Sequence, residues 1–146
     1  MAVNSRRLMV HEIFDLVAKA KNKKAKIEVL RANNIMPVRD VIQGVFDKRI
    51  TWNLPAGTPP YTPASDEAPP PRSLLREHLK FKYFVKGLRE SEGLPAVKRE
   101  RIFMDMLETV HPSEAKILLD MINKKSPVKG LTINVVKEAY PDLIPD

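Results

Sequence analysis

Residues 55–72, PAGTPPYTPASDEAPPPR, hold seven of the chain's 13 prolines and almost no aliphatic side chain. Proline fixes φ and lacks an N–H, so neither a helix ladder nor a paired strand can run through such a stretch. The composition predicts an exposed, partly polyproline loop within the fold. Regular structure therefore has to be built from the residues on either side of it.

Both flanks repeat their apolar residues at helical spacing. From Ser5 to Ala20 the residues Leu8, Met9, Ile13, Val17 and Ala20 predict a first helix, with Asn4 or Ser5 as its cap. A lysine-rich turn around Asn22 leads to a second helix carrying Ile27, Val29 and Leu30 that ends near Asn33 and Asn34. Pro37 suits a first helical position, and Val38, Val41, Ile42, Val45 and Phe46 give a third helix that runs to about Lys48, with Gly44 weakening but not breaking it. RITWNL alternates apolar and polar residues, which predicts a brief extended segment turning Ile50, Trp52 and Leu54 inward.

Beyond the proline-rich loop, Ser73 caps what reads as one long helix bearing Leu74, Leu75, Leu79, Phe81, Tyr83, Phe84 and Leu88, apolar over so wide an arc that it should cross the middle of the core. Helices follow from Pro95 (Val97, Ile102, Phe103, Met106, Leu107, Val110), from Pro112 (Ala115, Leu118, Leu119, Ile122) and from Thr132 to about Tyr140. The expectation is an all-α fold: one compact helical domain over residues 1–146, a bundle of about seven helices with the proline-rich loop inside it. At 146 residues one core of ordinary size suffices.

The chemistry-bearing inventory is thin. There is no cysteine, hence no thiol nucleophile and no thiolate metal site. His11, His78 and His111 are spread over three helices or their ends with no partner at i+4, which suits surface or capping roles rather than metal binding. No phosphate-loop, dinucleotide, nucleophile-elbow or calcium-loop motif occurs. The reading is a protein that is not an enzyme, with no cofactor, no metal and no small-molecule substrate. No apolar run approaches membrane-spanning length, so a cytoplasmic protein without a membrane partner is expected.

Charge is more informative. The net charge of +7 suits a polyanion, and it is uneven: residues 1–50 carry 11 basic and 5 acidic side chains, whereas residues 96–146 carry 8 of each. A broad positive face should then draw mostly on the N-terminal third. Lys21, Lys23 and Lys24 crowd the turn before the second helix without interleaved aromatics, which implies phosphate contact rather than base stacking, or simply a solvated turn. In KKSPVKGLTINVVKE, Gly130 and a Thr132-capped helix aim backbone N–H groups outward. Lys124, Lys125 and Lys129 supply charge there, and Asn134 a further amide. The spacing fits a phosphate site and a plain glycine turn with solvated lysines equally well.

The order of these parts resembles the N-terminal DNA-binding domain of ATP-dependent DNA ligases, closest to those of tailed phages. HEIFDLVAKAKNKKAKIEVLRANN is similar to the opening helix pair of that family through Ile13, Lys23, Lys26, Ile27 and Leu30, and RDVIQGVFDKRITWNL to its third helix and aromatic extended segment through Phe46, Lys48, Ile50 and Trp52. The closing pattern is matched by Lys125, Gly130, Thr132, Tyr140, Pro141, Leu143, Ile144 and Pro145; in such ligases it leads into the nucleotidyltransferase domain. No Lys-x-Asp-Gly adenylation motif is present. The middle of the chain matches in helix order more than in residues, and the proline-rich loop is its own.

The resemblance implies a stand-alone, non-catalytic accessory protein, phage-encoded and acting in the cytoplasm of an infected cell, that grips duplex DNA through its backbone and minor groove in replication or repair. Its contact sets would be Lys124, Lys125, Lys129, Gly130, Thr132 and Asn134, and Lys21, Lys23 and Lys24 with Lys48 and Arg49, brought onto one face by the fold. Two other readings stand beside it. One is an adaptor that uses the same scaffold to bind a replication, transcription or host protein. The other is a subunit that lends its DNA grip to a separate catalytic partner.

Overall fold

Helical periodicity on both flanks of the proline-rich stretch becomes, in a computed structural model that describes residues 7–65 and 67–145, eight α-helices and one 3-10 segment. They are α1 (Val10–Lys19), α2 (Lys23–Ala32), α3 (Met36–Phe46), α4 (Leu74–Glu77), the 3-10 segment His78–Phe84, α5 (Arg89–Glu92), α6 (Ala96–Thr109), α7 (Pro112–Ile122) and α8 (Ile133–Ala139). Among the described residues the only β pairing is a single antiparallel bridge between Trp52 and Val85, so the fold is all-α as expected.

The helix at the centre is α7. Ala115, Ile117, Leu118, Leu119, Met121 and Ile122 are all buried, so it is apolar nearly all round, and α1, α3 and α6 pack against it. One continuous hydrophobic cluster joins Val10 on α1 to Ile144 near the C-terminus. α2 packs on both α1 and α8, so an early and a late helix meet on it.

The long central helix expected from Ser73 to about Leu88 does not exist. Ser73 does cap a start, accepting a hydrogen bond from the Leu75 N–H at 3.1 Å, but α4 lasts four residues before tightening into the 3-10 segment. The reason lies in the spacing: His78, Phe81 and Phe84 are buried and recur every third residue, which a three-per-turn helix stacks on one face. Leu79 and Leu88, assigned to the buried arc, are 66% and 41% exposed, and Val97 of α6 is 70% exposed.

The first helix also starts later than its periodicity suggests. Met9 is its cap residue, and Glu12 reaches back to accept the Met9 N–H at 2.8 Å. Val10, Ile13, Phe14 and Val17 form the buried stripe, while Leu8 and Met9 precede the helix. The expected caps Asn4 and Ser5 lie outside the described residues.

The extended segment after α3 is as expected. The Asn53 N–H donates to Phe84 O at 2.6 Å and the Lys86 N–H to Thr51 O at 2.8 Å, with Trp52 buried and Ile50 and Leu54 half-buried. The proline-rich stretch is largely exposed yet fastened: Gly57 and the Asn123 side chain exchange two hydrogen bonds, the Thr62 N–H donates to Glu108, and the Arg72 N–H to Thr109 O. It is a strap over α6 and the end of α7.

Gly44 is required by packing. A Cβ there would stand 2.6 Å from Trp52 Cζ2 and 2.8 Å from Met121 Sδ. The methionine can move, but the indole is buried and donates to Gly44 O at 3.0 Å. Gly44→Ala is therefore expected to lower stability by about 1–3 kcal/mol, because overpacking outweighs the roughly 1 kcal/mol of helix propensity that alanine brings. A urea unfolding midpoint equal to or above that of the parent would contradict this.

Candidate nucleic-acid interface

The lysine-rich corner sits at the N-terminal end of α2, where Asn22 accepts the Ala25 N–H at 2.8 Å and no acidic residue occupies the first turn. Lys21 and Lys24 are exposed and have no partner among the described residues, while Lys23 pairs with Glu138 of α8 at 2.9 Å. Lys26 turns the other way. Its ammonium donates to Val17 O at 2.8 Å and Ala20 O at 2.9 Å, closing the carbonyl end of α1.

Gly130 lies directly on Lys26. Its φ of +84 favours glycine, and a Cβ would come within 2.6 Å of Lys26 Cε. This contact and the Lys23–Glu138 pair set the segment 129–138 alongside the corner, so Lys129, exposed beside Gly130, joins Lys21, Lys23 and Lys24. The N-terminal end of α8 is less open than its sequence suggests. The Thr132 hydroxyl accepts the Val135 N–H at 3.4 Å and so fills one of the donors assigned to phosphate, in a helix of seven residues. Asn134 is exposed.

Lys124, assigned to the phosphate set, has a structural task. The Lys125 N–H donates to Asp120 O and the Lys124 N–H to Met121 O, a Schellman ending of α7 that puts Lys124 in the left-handed region at φ +58. That conformation costs a non-glycine residue about 1–2 kcal/mol. It also aims the side chain at α3, where the ammonium donates to Gly44 O at 2.8 Å and Asp47 O at 3.0 Å, capping that helix. Burial pulls the Lys124 pKa below its ordinary value, with Asp47 opposing the shift. Lys125 is exposed beside it.

Lys48 and Arg49 meet Lys124 across an open cleft of about 990 Å³ that Lys137 of α8 also lines. Its floor is apolar, with Phe46, Ile50, Ile133 and Ile144. Arg49 is committed within it: the guanidinium donates to both Asp47 carboxylate oxygens, at 3.1 and 2.9 Å, and with those bonds as the main cause the Asp47 pKa falls to about 2. Lys48 is exposed and has no partner among the described residues. α8 thus borders both groups, the corner through Glu138 and the cleft through Ile133 and Lys137.

The histidines differ from expectation in two respects. His78 is buried, with Nδ1 2.6 Å from an Asp40 carboxylate oxygen, rather than at the surface. His11 and His111 are not scattered but stacked, ring centroids 4.0 Å apart at 12°. His111 has the expected capping role, Nδ1 accepting the Ser113 N–H at 3.0 Å. No group of three or more His, Cys, Asp or Glu side chains could hold a metal ion among the described residues.

Burial, then repulsion from His111, lowers the His11 pKa below its usual 6.5, against the pull of Glu114, Glu12 and Asp15. The unfolded chain therefore takes up this proton at higher pH than the folded chain does. Stability should be undiminished above pH 6.5 and fall as pH drops through 6.5 and the lowered folded value. His11→Phe, which keeps a stacking ring, should flatten that decline in urea midpoints between about pH 7.5 and 5. An unchanged decline in the variant would assign it to other groups.

All-helical architecture with two lysine groups bordering one helix defines a basic helical protein. The chain belongs to a family of unknown function (DUF6433), whose model matches residues 13–127, from α1 through the end of α7. No curated protein matches it. The matched stretch includes Lys21, Lys23, Lys24, Lys48, Arg49, Lys124 and Lys125, and stops short of Lys129, Gly130, Thr132 and Asn134.

Proposed function

We propose that this chain is a non-catalytic accessory protein that binds duplex DNA without sequence preference, through its phosphates and along the minor groove. The observation that supports it most is that Gly130, next to Lys129, packs on Lys26 while Glu138 pairs with Lys23, which brings the second basic segment to the helix start that carries Lys21, Lys23 and Lys24. Cations at the N-terminal end of a helix oppose its dipole, at about 0.3–1 kcal/mol each. For Lys23 and Lys26 the fold returns that cost through Glu138 and the carbonyl end of α1. For Lys21 and Lys24 it returns nothing, whereas a phosphate at that end would be drawn both to the lysines and to the helix. On the ligase-like reading, its setting is phage DNA replication or repair in the cytoplasm of the host.

The apolar floor beside Lys48 and Lys124 favours a second reading, an adaptor that docks a segment of a replication or host protein. Salt separates the two. About five phosphate contacts give a slope of log K against log salt near −4.5. Titrating labelled intact and nicked duplexes between 50 and 200 mM salt should show that steep loss. Absence of binding at 50 mM would remove the DNA reading in favour of the adaptor, and tighter binding to the nick would tie the protein to repair.

A further inference from the structure

We infer that the chain carries a second phosphate-binding face, on α6, and through it bridges two duplex segments; this rests on the DNA-binding reading above. Arg72, Lys80, Lys98 and Arg101 line an open cleft of about 540 Å³ with Tyr83, Leu94, Ile102 and Asp105. Lys82, exposed, holds its ammonium 5.6 Å from the centre of the Tyr83 ring at the same edge. Against these five cations stand two carboxylates among the described residues. Asp105 takes Arg72, and Glu77 takes Lys80 at 2.9 Å and Arg72 at 3.8 Å. Lys98 and Arg101, one helical turn apart and exposed, have no partner among the described residues, so the balance is an unneutralised positive surface.

This face is separate from the first. Lys98, Arg101, Ile102 and Asp105 occupy one flank of α6, while Glu100, Phe103 and Met104 on the opposite flank meet Leu54 and, in the strap, Pro55 and Pro59. Leu54, just before that strap, and Ala56 within it then border the cleft of Lys48 and Lys124. The strap therefore stands between the α6 face and the cleft of Lys48 and Lys124, which α8 also borders. Duplex DNA is stiff over about 150 base pairs, so one segment lying along α2 and α8 does not fold round the strap to reach α6. Phosphates on α6 belong to a second segment. Net charge conceals this face, because the segment 96–146 that contributes Lys98 and Arg101 is neutral overall.

The test mixes a bead-bound duplex with a labelled free duplex at about 50 mM salt, and measures single-duplex affinity separately by fluorescence anisotropy. The parent protein should retain labelled duplex on the beads. Lys98→Glu with Arg101→Glu, both surface changes, should keep single-duplex affinity within about twofold and lose the retention; the Gln pair should lose it partly. A parent that binds duplex but retains none overturns the inference. So does a Glu variant that retains as much as the parent, which would point to bridging by protein dimers. If no duplex is bound at all, the DNA-binding reading fails first and this inference with it.

Discussion

Glu114→Ala should destabilise the fold by about 3–5 kcal/mol, the largest loss expected from any single side chain outside the apolar core. Glu114 is 0% exposed and sits in the first turn of α7, where the helix dipole favours its charge. One carboxylate oxygen accepts the His11 N–H at 3.1 Å and the other the Leu74 N–H at 2.9 Å. Both donors lie in the first turns of other helices, α1 and α4, and have no partner within their own helix. One buried carboxylate thus closes two helix ends while standing at the start of a third. Alanine strands the Leu74 N–H in a buried position, frees the His11 N–H and leaves a cavity; each buried donor without a partner costs about 1–3 kcal/mol. Glu114→Gln, which keeps the volume and one acceptor oxygen, should cost about half as much. Urea unfolding of the three proteins would measure this, and a loss below about 1 kcal/mol for alanine would mean that water replaces the carboxylate.

This joint was not legible in the sequence, since nothing in Pro112-Ser113-Glu114 beyond an ordinary helix start points to His11 or Leu74. What could be read was local. Pro37, Pro112 and Thr132 announce helix starts because capping and fixed φ act over three or four residues, and the elements begin where these residues put them, to within a position. The failure at Ser73 to Leu88 was also local: a wide apolar arc satisfies both a 3.6-residue and a 3.0-residue period, and His78, Phe81 and Phe84 settle it for the tighter one. The lysines divide by another rule. Lys26 and Lys124 look like members of basic runs, yet both ammonium groups close the carbonyl ends of helices brought near by the fold. Their neighbours Lys21, Lys24, Lys125 and Lys129 stay exposed. Sequence finds a basic run; only packing tells which of its charges are already used.

That division makes the second large effect, and it separates charge that grips DNA from charge that holds helices. Lys21→Glu, Lys24→Glu and Lys129→Glu together should lower duplex affinity at 50 mM salt by about 100-fold or more, through three lost phosphate contacts and three new repulsions. The salt slope should flatten by about 2.7, at about 0.9 per contact. The three residues are exposed, and Lys21 and Lys24 oppose the α2 dipole, so their reversal should leave stability equal or slightly higher. Arginine at the same three positions should restore affinity and slope, since the contact is to phosphate charge. Lys124→Ala should behave in the opposite way. It removes the ammonium from Gly44 O and Asp47 O while keeping the φ of +58, so stability falls by about 1–3 kcal/mol and the slope changes by less than one contact. If the triple variant binds as the parent does, the corner is a solvated turn and the DNA reading loses its support. If Lys124→Ala alone abolishes binding in a protein that remains folded, the grip lies in the cleft beside Lys48, and the interface has to be redrawn around it.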